Sequence, residues 1–199
     1  MEAFPPYSGF HRTSHLASGN LGQVVAAVKS LFSDAHADGA LIFDNATGRV
    51  VDVDFRGAAA DVLARLPTET GMQTEPAVEA PRGPGRPKLG VVAKEVTLLP
   101  RHWEWLAAQP GGASVALRKL VEDARRANAG KDQVRQAQDR TYRFISAMLA
   151  DSPALEEAQR ALFSGQRALF EQYSAAWPLD LRGHALLLAR DAFAEGEPA

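Results

Sequence analysis

The residues of this sequence whose types and spacing suggest a specific chemistry are the cations of segment 82–131. This segment holds 10 Lys/Arg against 4 Asp/Glu, a net of +6, although the 199-residue chain carries a formal net charge of −2. Residues 1–81 carry 5 Lys/Arg against 10 Asp/Glu, and residues 132–199 carry 7 against 10. One positive segment between two acidic ones is typical of a surface that contacts nucleic-acid phosphates. Charge alone leaves a second interpretation open, a solvated linker followed by a basic helix.

The order of elements within the basic segment is an extended run, a helix, a turn and a helix. Residues 91–99 read Val-Val-Ala-Lys-Glu-Val-Thr-Leu-Leu, and this β-branched composition predicts a strand. Pro100 suits the first position of a helix over 100–108, where Leu98 would pack against Trp103 as a hydrophobic staple. Gln-Pro-Gly-Gly at 109–112 ends that helix.

A second helix is predicted to follow this turn, with Ser114 as its N-cap. Leu117, Leu120, Val121 and Ala124 recur at helical spacing and form one apolar face. A lone strand with two short helices cannot bury its apolar residues by itself, whereas two copies can if their strands pair and their helices interlock. The sequence therefore predicts a homodimer, whose core comprises Val96, Leu98, Trp103, Leu117, Leu120 and Val121.

These features resemble the ribbon-helix-helix DNA-binding proteins. The resemblance rests on the strand that runs into Leu99-Pro100, on Trp103 one turn later, on the Gly-Gly-Ala-Ser turn and on the apolar face of the second helix. The preceding Gly85-Arg86-Pro87-Lys88 is similar to the core of an AT-hook. The chain as a whole resembles a bacterial family of uncharacterised proteins that share the strings Leu-Leu-Pro-Arg-His-Trp-Glu-Trp-Leu and Pro-Gly-Gly-Ala-Ser. That wider resemblance implies no activity.

The ribbon-helix-helix resemblance implies a homodimeric regulator that binds double-stranded DNA. In this architecture the ribbon enters the major groove, and backbone N–H groups at the start of the second helix, here Gly112, Ala113 and Ser114, meet a phosphate. Arg86 and Lys88 would occupy a narrow AT-rich minor groove, whose negative potential attracts them. The implied DNA-binding residues are Arg82, Arg86, Lys88, Lys94, Thr97, Arg101, Gly112 and Ser114.

The strand departs from the family pattern in its outward side chains. One register points Ala93, Glu95 and Thr97 outward, and the other points Lys94, Val96 and Leu98 outward. We favour the first register because it buries Val96 and Leu98. Neither set is the polar triplet of a base-reading ribbon, so we expect binding that is weakly specific or directed to AT-rich DNA.

The remaining sequence divides around this segment and gives an overall α+β class. Residues 7–66 predict a small α+β domain, with a helix near 21–32 capped by Ser18 or Asn20, two strands near 40–44 and 49–55 joined by a turn, a short helix over 58–66 and a possible strand near 9–15. Residues 67–90 are a Pro/Gly-rich linker, 91–127 form the segment described above, and 131–194 form a helical region. Helices are predicted there over 132–150, 153–176 and 179–193, with their aromatic residues in a packed core.

Several classes of function are disfavoured. The absence of cysteine excludes disulfides and thiolate chemistry, and no apolar run is long enough to span a bilayer. The N-terminus lacks the pattern of a secretory signal, so we expect a cytoplasmic protein without a membrane partner. No catalytic motif is present, so the sequence predicts no enzyme and no cofactor.

Metal sites have weak support. Asp44, Asp52 and Asp54 offer oxygen ligands for Mg²⁺ or Ca²⁺, but alternation with Val51, Val53 and Phe55 explains them as the solvated side of a sheet. His11 and His15 lack a third ligand at a recognisable zinc spacing, while His102 and His184 are interpreted as exposed or capping residues. The sequence therefore predicts no metal site. The alternative to DNA binding is a protein–protein interaction or dimerisation module.

Overall fold

The computed structural model describes residues 4–32, 39–66 and 94–193. The predicted linker, with Arg82, Arg86 and Lys88, and the first three residues of the predicted strand lie outside these ranges. The strands are β1 (Tyr7–His11), β2 (Ser14–Gly19), β3 (Ala40–Asp44) and β4 (Arg49–Val51). The α-helices are α1 (Leu21–Leu31), α2 (Ala59–Arg65), α3 (Pro100–Ala107), α4 (Gly112–Met148), α5 (Leu155–Phe163), α6 (Arg167–Tyr173) and α7 (Leu179–Ala189), with a 3₁₀ turn at Ser174–Ala176. This composition confirms the α+β class.

Two compact units divide the chain. The first unit comprises residues 1–67 together with 130–199, and the second comprises residues 68–129. The first unit thus contains both 7–66 and 131–194, which the sequence predicts as separate regions. The reason is a shared core, because Phe10 and Phe43 of the sheet pack against Phe144 of α4.

The sheet of the first unit is antiparallel, in the order β2-β1-β3-β4. The single strand predicted near 9–15 is a hairpin instead, in which β1 and β2 are joined at Arg12-Thr13. Arg12 has a φ of 52°, a left-handed conformation that a tight turn requires. The predicted turn at 45–48 is confirmed, with the Gly48 N–H donating to the Asp44 carbonyl at 2.7 Å.

Helix α1 begins as the sequence predicts. Asn20 is its N-cap, and its side-chain oxygen accepts from the Gln23 N–H at 2.8 Å while Gln23 Oε1 accepts from the Asn20 N–H at 3.0 Å. This reciprocal capping box satisfies two backbone donors that the helix start leaves free. Ser18, the other cap considered, bonds Ser8 and His15 instead.

Both faces of the central strands β1 and β3 are buried. Phe10 and Phe43 point to the core that α4 to α7 build, whereas Ile42 packs with α1 in a second core. A Cβ at Gly9 would lie 2.8 Å from a methyl carbon of Val24, so glycine lets α1 pack closely there. The continuous apolar run Ala-Leu-Ile-Phe of β3 is explained by this two-sided burial.

The predicted helix over 153–176 is interrupted. Helix α5 ends at Phe163, where Gly165 adopts a φ of 71°. The Gln166 N–H donates to the Ala161 carbonyl at 2.9 Å and the Gly165 N–H to the Leu162 carbonyl at 3.2 Å. These two bonds form a Schellman motif, which terminates the helix before α6 begins.

Helix α4 is continuous over 37 residues. The prediction of one helix that starts at Ser114 and a separate helix over 132–150 is therefore wrong. Gly130, which lies between the two predicted helices, is within α4 and exposed. A single interior glycine costs only about 1 kcal/mol relative to alanine, which a long helix tolerates.

Two arginines of α4 hold distant segments of the first unit. Arg140 Nε donates to the Leu188 carbonyl at 2.8 Å, and its Nη2 donates to Asp191 Oδ2 at 2.9 Å. Arg143 Nη1 donates to the Thr47 carbonyl in the β3–β4 turn at 2.6 Å. The helix is therefore fixed at once to the sheet and to the end of α7.

His184 is buried, contrary to the prediction that it is exposed or capping. Its ring centroid lies 4.7 Å from that of Phe144 and 5.0 Å from that of Phe10. Its Nε2 has no hydrogen-bond partner. Burial, and then the nearby His15, lower the pKa of His184 from 6.5 to about 4.

We expect the stability of the protein to fall between pH 6.5 and pH 4 because of His184. In that window the unfolded histidine binds a proton that the folded one excludes, so unfolding takes up a proton and stability decreases as the pH falls. The contribution is at most about 3 kcal/mol. Urea unfolding at pH 7 and pH 4.5 measures it, and His184→Leu should remove this part of the pH dependence. His102→Leu, at an exposed position, is the control; equal pH dependence in all three proteins would contradict the assignment.

Two glycine substitutions should act in opposite directions. Gly130→Ala is expected to raise the free energy of unfolding by about 0.5–1 kcal/mol, because a Cβ there meets nothing within 4 Å and alanine favours the helix. Gly48→Ala should lower it by more than this, because Gly48 has a φ of 69° and its Cβ would collide with the Arg140 backbone. Urea titration of both variants is the measurement. Destabilisation by Gly130→Ala would argue against an uninterrupted α4.

Candidate nucleic-acid interface

Residues 94–99 form no β-strand in the structure. A strand needs a hydrogen-bonded neighbour, and none of the described residues pairs with this segment. The predicted strand is therefore not found among the described residues 94–99. Leu98 is half-buried, while the other five residues are exposed. The segment leads directly into α3.

Helix α3 confirms the helix predicted over 100–108 to within one residue. Leu99 is the N-cap, with its carbonyl accepting from the His102 N–H at 2.8 Å, and Pro100 follows at the first helical position. Leu98 therefore precedes the cap and Trp103 is the fourth helical residue, which are the two positions of a hydrophobic staple.

The turn between α3 and α4 uses two glycines with positive φ, Gly111 at 84° and Gly112 at 74°. The Gly112 N–H donates to the Gln109 carbonyl at 2.9 Å, so it is not free for a phosphate, contrary to its predicted role. Ser114 lies inside the first turn of α4 and is not its N-cap, because the helix begins at Gly112. Arg118 donates to the Ser114 carbonyl at 3.1 Å and approaches its hydroxyl at 3.4 Å.

The apolar residues predicted to form a dimer core are largely exposed in the single chain. Leu98 and Leu117 are half-buried, and the exposed ones are Val96 (53%), Trp103 (40%), Leu120 (47%) and Val121 (57%). Over residues 94–129 the buried side chains are Leu106 and Ala116 alone. On α3, Leu106 is buried, whereas Trp103, three residues earlier on the same side of the helix, and Trp105 are both exposed.

The same segment also exposes cationic side chains to solvent. Lys94, Thr97 and Arg101 are all exposed, as a contact surface requires. Helix α4 adds a stripe of exposed cations that are not among the predicted site residues. It comprises Arg118, Lys119, Arg125 and Arg126. Their spacing in the sequence indicates this stripe, because residues seven apart, such as Arg118 and Arg125, lie on one side of a helix. Glu122 lies within the stripe and pairs with Arg125 at 3.1 Å and Arg126 at 3.5 Å.

A hydrogen-bonded chain on the first unit also has residue types of chemical interest. Asn45 Nδ2 donates to Ser8 Oγ at 2.8 Å, Ser8 Oγ lies 2.7 Å from Ser18 Oγ, and Ser18 Oγ lies 2.8 Å from His15 Nε2. A serine beside a histidine is the start of a nucleophile–base pair. However, Asp180 Oδ2 accepts from the His15 backbone N–H at 2.8 Å and not from its ring. The network therefore ties sheet strands together without the oriented base that such catalysis uses.

Two of the three carboxylates considered as metal ligands, Asp44 and Asp54, have other partners. Asp44 Oδ1 accepts from the Ala46 N–H at 2.8 Å in the β3–β4 turn. Asp54 forms a two-bond ion pair with Arg56, and hydrogen bonds from that side chain hold the pKa of the Asp54 carboxyl well below its usual range. Val51, Val53 and Phe55 are half-buried while Asp52 and Asp54 are exposed, which confirms the predicted alternation. Across the described ranges, no three His, Asp or Glu residues form a group suited to a metal ion.

Comparison with known proteins identifies the family. The chain belongs to a family described as uncharacterized proteins conserved in bacteria (DUF2239), whose sequence model matches residues 6–189. No curated protein and no solved structure matches the chain. Within the described ranges, no helix has the length and hydropathy needed to cross a membrane.

Proposed function

We propose that this member of the bacterial family binds double-stranded DNA as a homodimer and acts as a transcriptional regulator. The dimer would form through residues 91–127, and an arm with Arg82, Arg86 and Lys88 would add contacts in the minor groove. The observation that carries the proposal is the exposure of the apolar side chains of residues 94–129 on a segment that is also the most basic of the chain.

The burial supports a second copy as the partner. A 36-residue stretch that buries only Leu106 and Ala116 removes too little apolar surface to offset its conformational entropy. Clustered exposed side chains as large as Trp103 and Trp105 are typical of an interaction surface. An identical chain supplies the same unpaired residues 94–99 and the same apolar side chains, so strand pairing between copies would satisfy both.

The cations support DNA as the ligand. Lys94 and Arg101 flank the N-terminus of α3, and Lys119 with Arg118 follows the N-terminus of α4. In a symmetric dimer each of these charges occurs twice, which suits the two phosphate backbones of a duplex. The sequence of the arm, Gly-Arg-Pro-Lys, is the basis for the expected preference for AT-rich DNA.

A protein–protein interaction module is the second candidate. Glu122 favours it, because its carboxylate neutralises part of the α4 stripe through Arg125 and Arg126. Glu95, next to Lys94, also favours it, because its carboxylate would repel a phosphate. Under this alternative the exposed apolar residues serve assembly alone.

We expect the full-length protein to be a dimer at micromolar concentration. The double substitution Leu120→Glu/Val121→Glu should shift it to a monomer, because it places two charges in the predicted interface. Leu179→Glu is the matched control, since Leu179 is an exposed leucine of the first unit and should leave the mass unchanged. Light scattering coupled to size exclusion measures the mass, and circular dichroism verifies that the helices persist. A parent protein that is monomeric would contradict the proposal.

DNA binding should weaken steeply with salt. If about eight phosphates are neutralised by a dimer, the logarithm of affinity should fall against the logarithm of salt concentration with a slope on the order of −5 to −7. Arg86→Ala/Lys88→Ala should flatten the slope and abolish any preference for AT-rich over GC-rich duplexes. Fluorescence anisotropy with both duplexes is the measurement. The control is Arg160→Ala/Arg167→Ala, which removes two exposed cations of the first unit.

The outcomes separate the two candidates. A dimer that binds neither duplex at about 50 mM salt would favour the interaction module and end the DNA proposal. Binding that the Arg86→Ala/Lys88→Ala change leaves intact would move the contact to Lys94, Arg101 and the α4 stripe. Equal loss in the Arg160→Ala/Arg167→Ala control would indicate a nonspecific charge effect.

A further inference from the structure

A groove of about 820 Å³ lies within the first unit. One wall is the part of α4 from Gly130 to Gln138, and the other is formed by residues 190–193 beyond α7. Its volume falls within the range of about 300–1,000 Å³ that small-molecule sites occupy. None of its lining residues is among those proposed to contact DNA or to form the dimer core.

The α4 wall combines cationic, apolar and amide groups in one stripe. Lys131, Val134, Arg135 and Gln138 are spaced by three and four residues, so their side chains lie on one side of the helix. Lys131 and Arg135 are exposed, whereas Val134 and Gln138 are half-buried and lie deeper. Gln138 Nε2 donates to the Leu162 carbonyl at 3.0 Å, which fixes the amide in place. Lys131 and Arg135 therefore lie at the exposed edge of the groove, and its deeper part is partly apolar.

The opposite wall adds a third cation and an aromatic ring. Arg190 is exposed, and Phe193 is half-buried with its ring 5.7 Å from that of Phe170. Asp191 is the only acidic residue among the described residues of the lining, and its carboxylate is already engaged by Arg140 at 2.9 Å and by Arg190 at 3.3 Å. Partial burial raises the pKa of Asp191, but the hydrogen bonds from the two arginines outweigh this and hold the pKa below its usual value. The carboxylate therefore stays charged and paired.

The charge balance of the groove favours an anion. Among the described lining residues, three cations, Lys131, Arg135 and Arg190, stand against one carboxylate, and Arg140, behind the wall, compensates that carboxylate. Asp132 approaches Arg135 at 3.6 Å, but this pair is exposed and solvent screens it strongly. Arg135 is thus available to a ligand that offers a better geometry.

We propose that this groove binds a small organic anion with an apolar body, its carboxylate held between Lys131 and Arg135 and its body against Val134 and Phe193. A fatty acid or an aromatic carboxylic acid has this chemistry. The assignment uses the first unit alone and does not depend on DNA binding. It gives the α4–α7 region a ligand-binding role in addition to its packing role.

The test uses 8-anilinonaphthalene-1-sulfonate, an amphiphilic anion that fluoresces in apolar sites, on the full-length protein. We expect saturable binding that decanoate displaces and decanol does not, because decanol has the same apolar body without the charge. Lys131→Gln/Arg135→Gln should weaken the binding of both anions about tenfold or more, since hydrogen bonds to charged groups contribute about 1.5–3 kcal/mol each. Isothermal titration with decanoate provides the same affinity without the fluorophore.

Two controls assign the site. Arg160→Gln/Arg167→Gln removes two exposed, ion-paired arginines elsewhere in the first unit and should leave binding unchanged. Leu120→Glu/Val121→Glu tests whether the probe sits on the exposed apolar side chains of the second unit, and it should also leave binding unchanged. The proposal is overturned if neither anion binds, if decanol displaces the probe as well as decanoate does, or if only Leu120→Glu/Val121→Glu abolishes binding.

Discussion

The first unit depends on the packing of Phe144 against Phe10 and Phe43. The ring centroids of Phe144 lie 5.3 Å and 5.0 Å from the two sheet rings, and all three side chains are fully buried. This cluster joins residues near the two ends of the chain in one core, and Arg143 reinforces it from α4 to the β3–β4 turn. Because residues 1–67 and 130–199 close on each other, the two cores of this unit draw no described residue from 94–129.

The sequence predicts the features of the fold that depend on residues close together along the chain, and misses those that depend on distant partners. The Asn20 cap, the turn before Gly48 and the helix start at Pro100 depend on neighbouring residues, and their positions are confirmed. The β1–β2 hairpin and the burial of His184 depend on partners far along the chain, which local spacing does not specify. The continuity of α4 has a different physical basis. Gly130, which lies between the two predicted helices, costs only about 1 kcal/mol in a helix interior and so does not interrupt the helix.

The candidate interface shows the same limit at the level of side chains. Helical spacing identifies which residues share a face, but not how deeply the chain buries each of them. In α3 the buried residue is Leu106, although Trp103 is larger and better placed for a staple. The sequence shows only that Glu122 precedes Arg125 and Arg126 by three and four residues. The structure shows that its carboxylate pairs with both arginines. The arm with Arg86 and Lys88 lies outside the described residues, so its assignment rests on sequence alone.

The geometry of α4 makes dimerisation and DNA binding compatible on one helix. At about 100° per residue, Leu117, Leu120, Val121 and Ala124 centre on one direction, and Arg118, Lys119, Arg125 and Arg126 centre about 150° away. A helix with apolar and basic residues mixed on one side would have to desolvate its cations in order to associate, at a cost of several kcal/mol per ion. Here the two sets are on opposite sides, so a second copy can cover the leucines while the arginines keep their hydration. In the proposed complex these cations would exchange water, and Arg125 and Arg126 their exposed pairs with Glu122, for phosphate oxygens. That exchange would release counterions and make the proposed binding sensitive to salt.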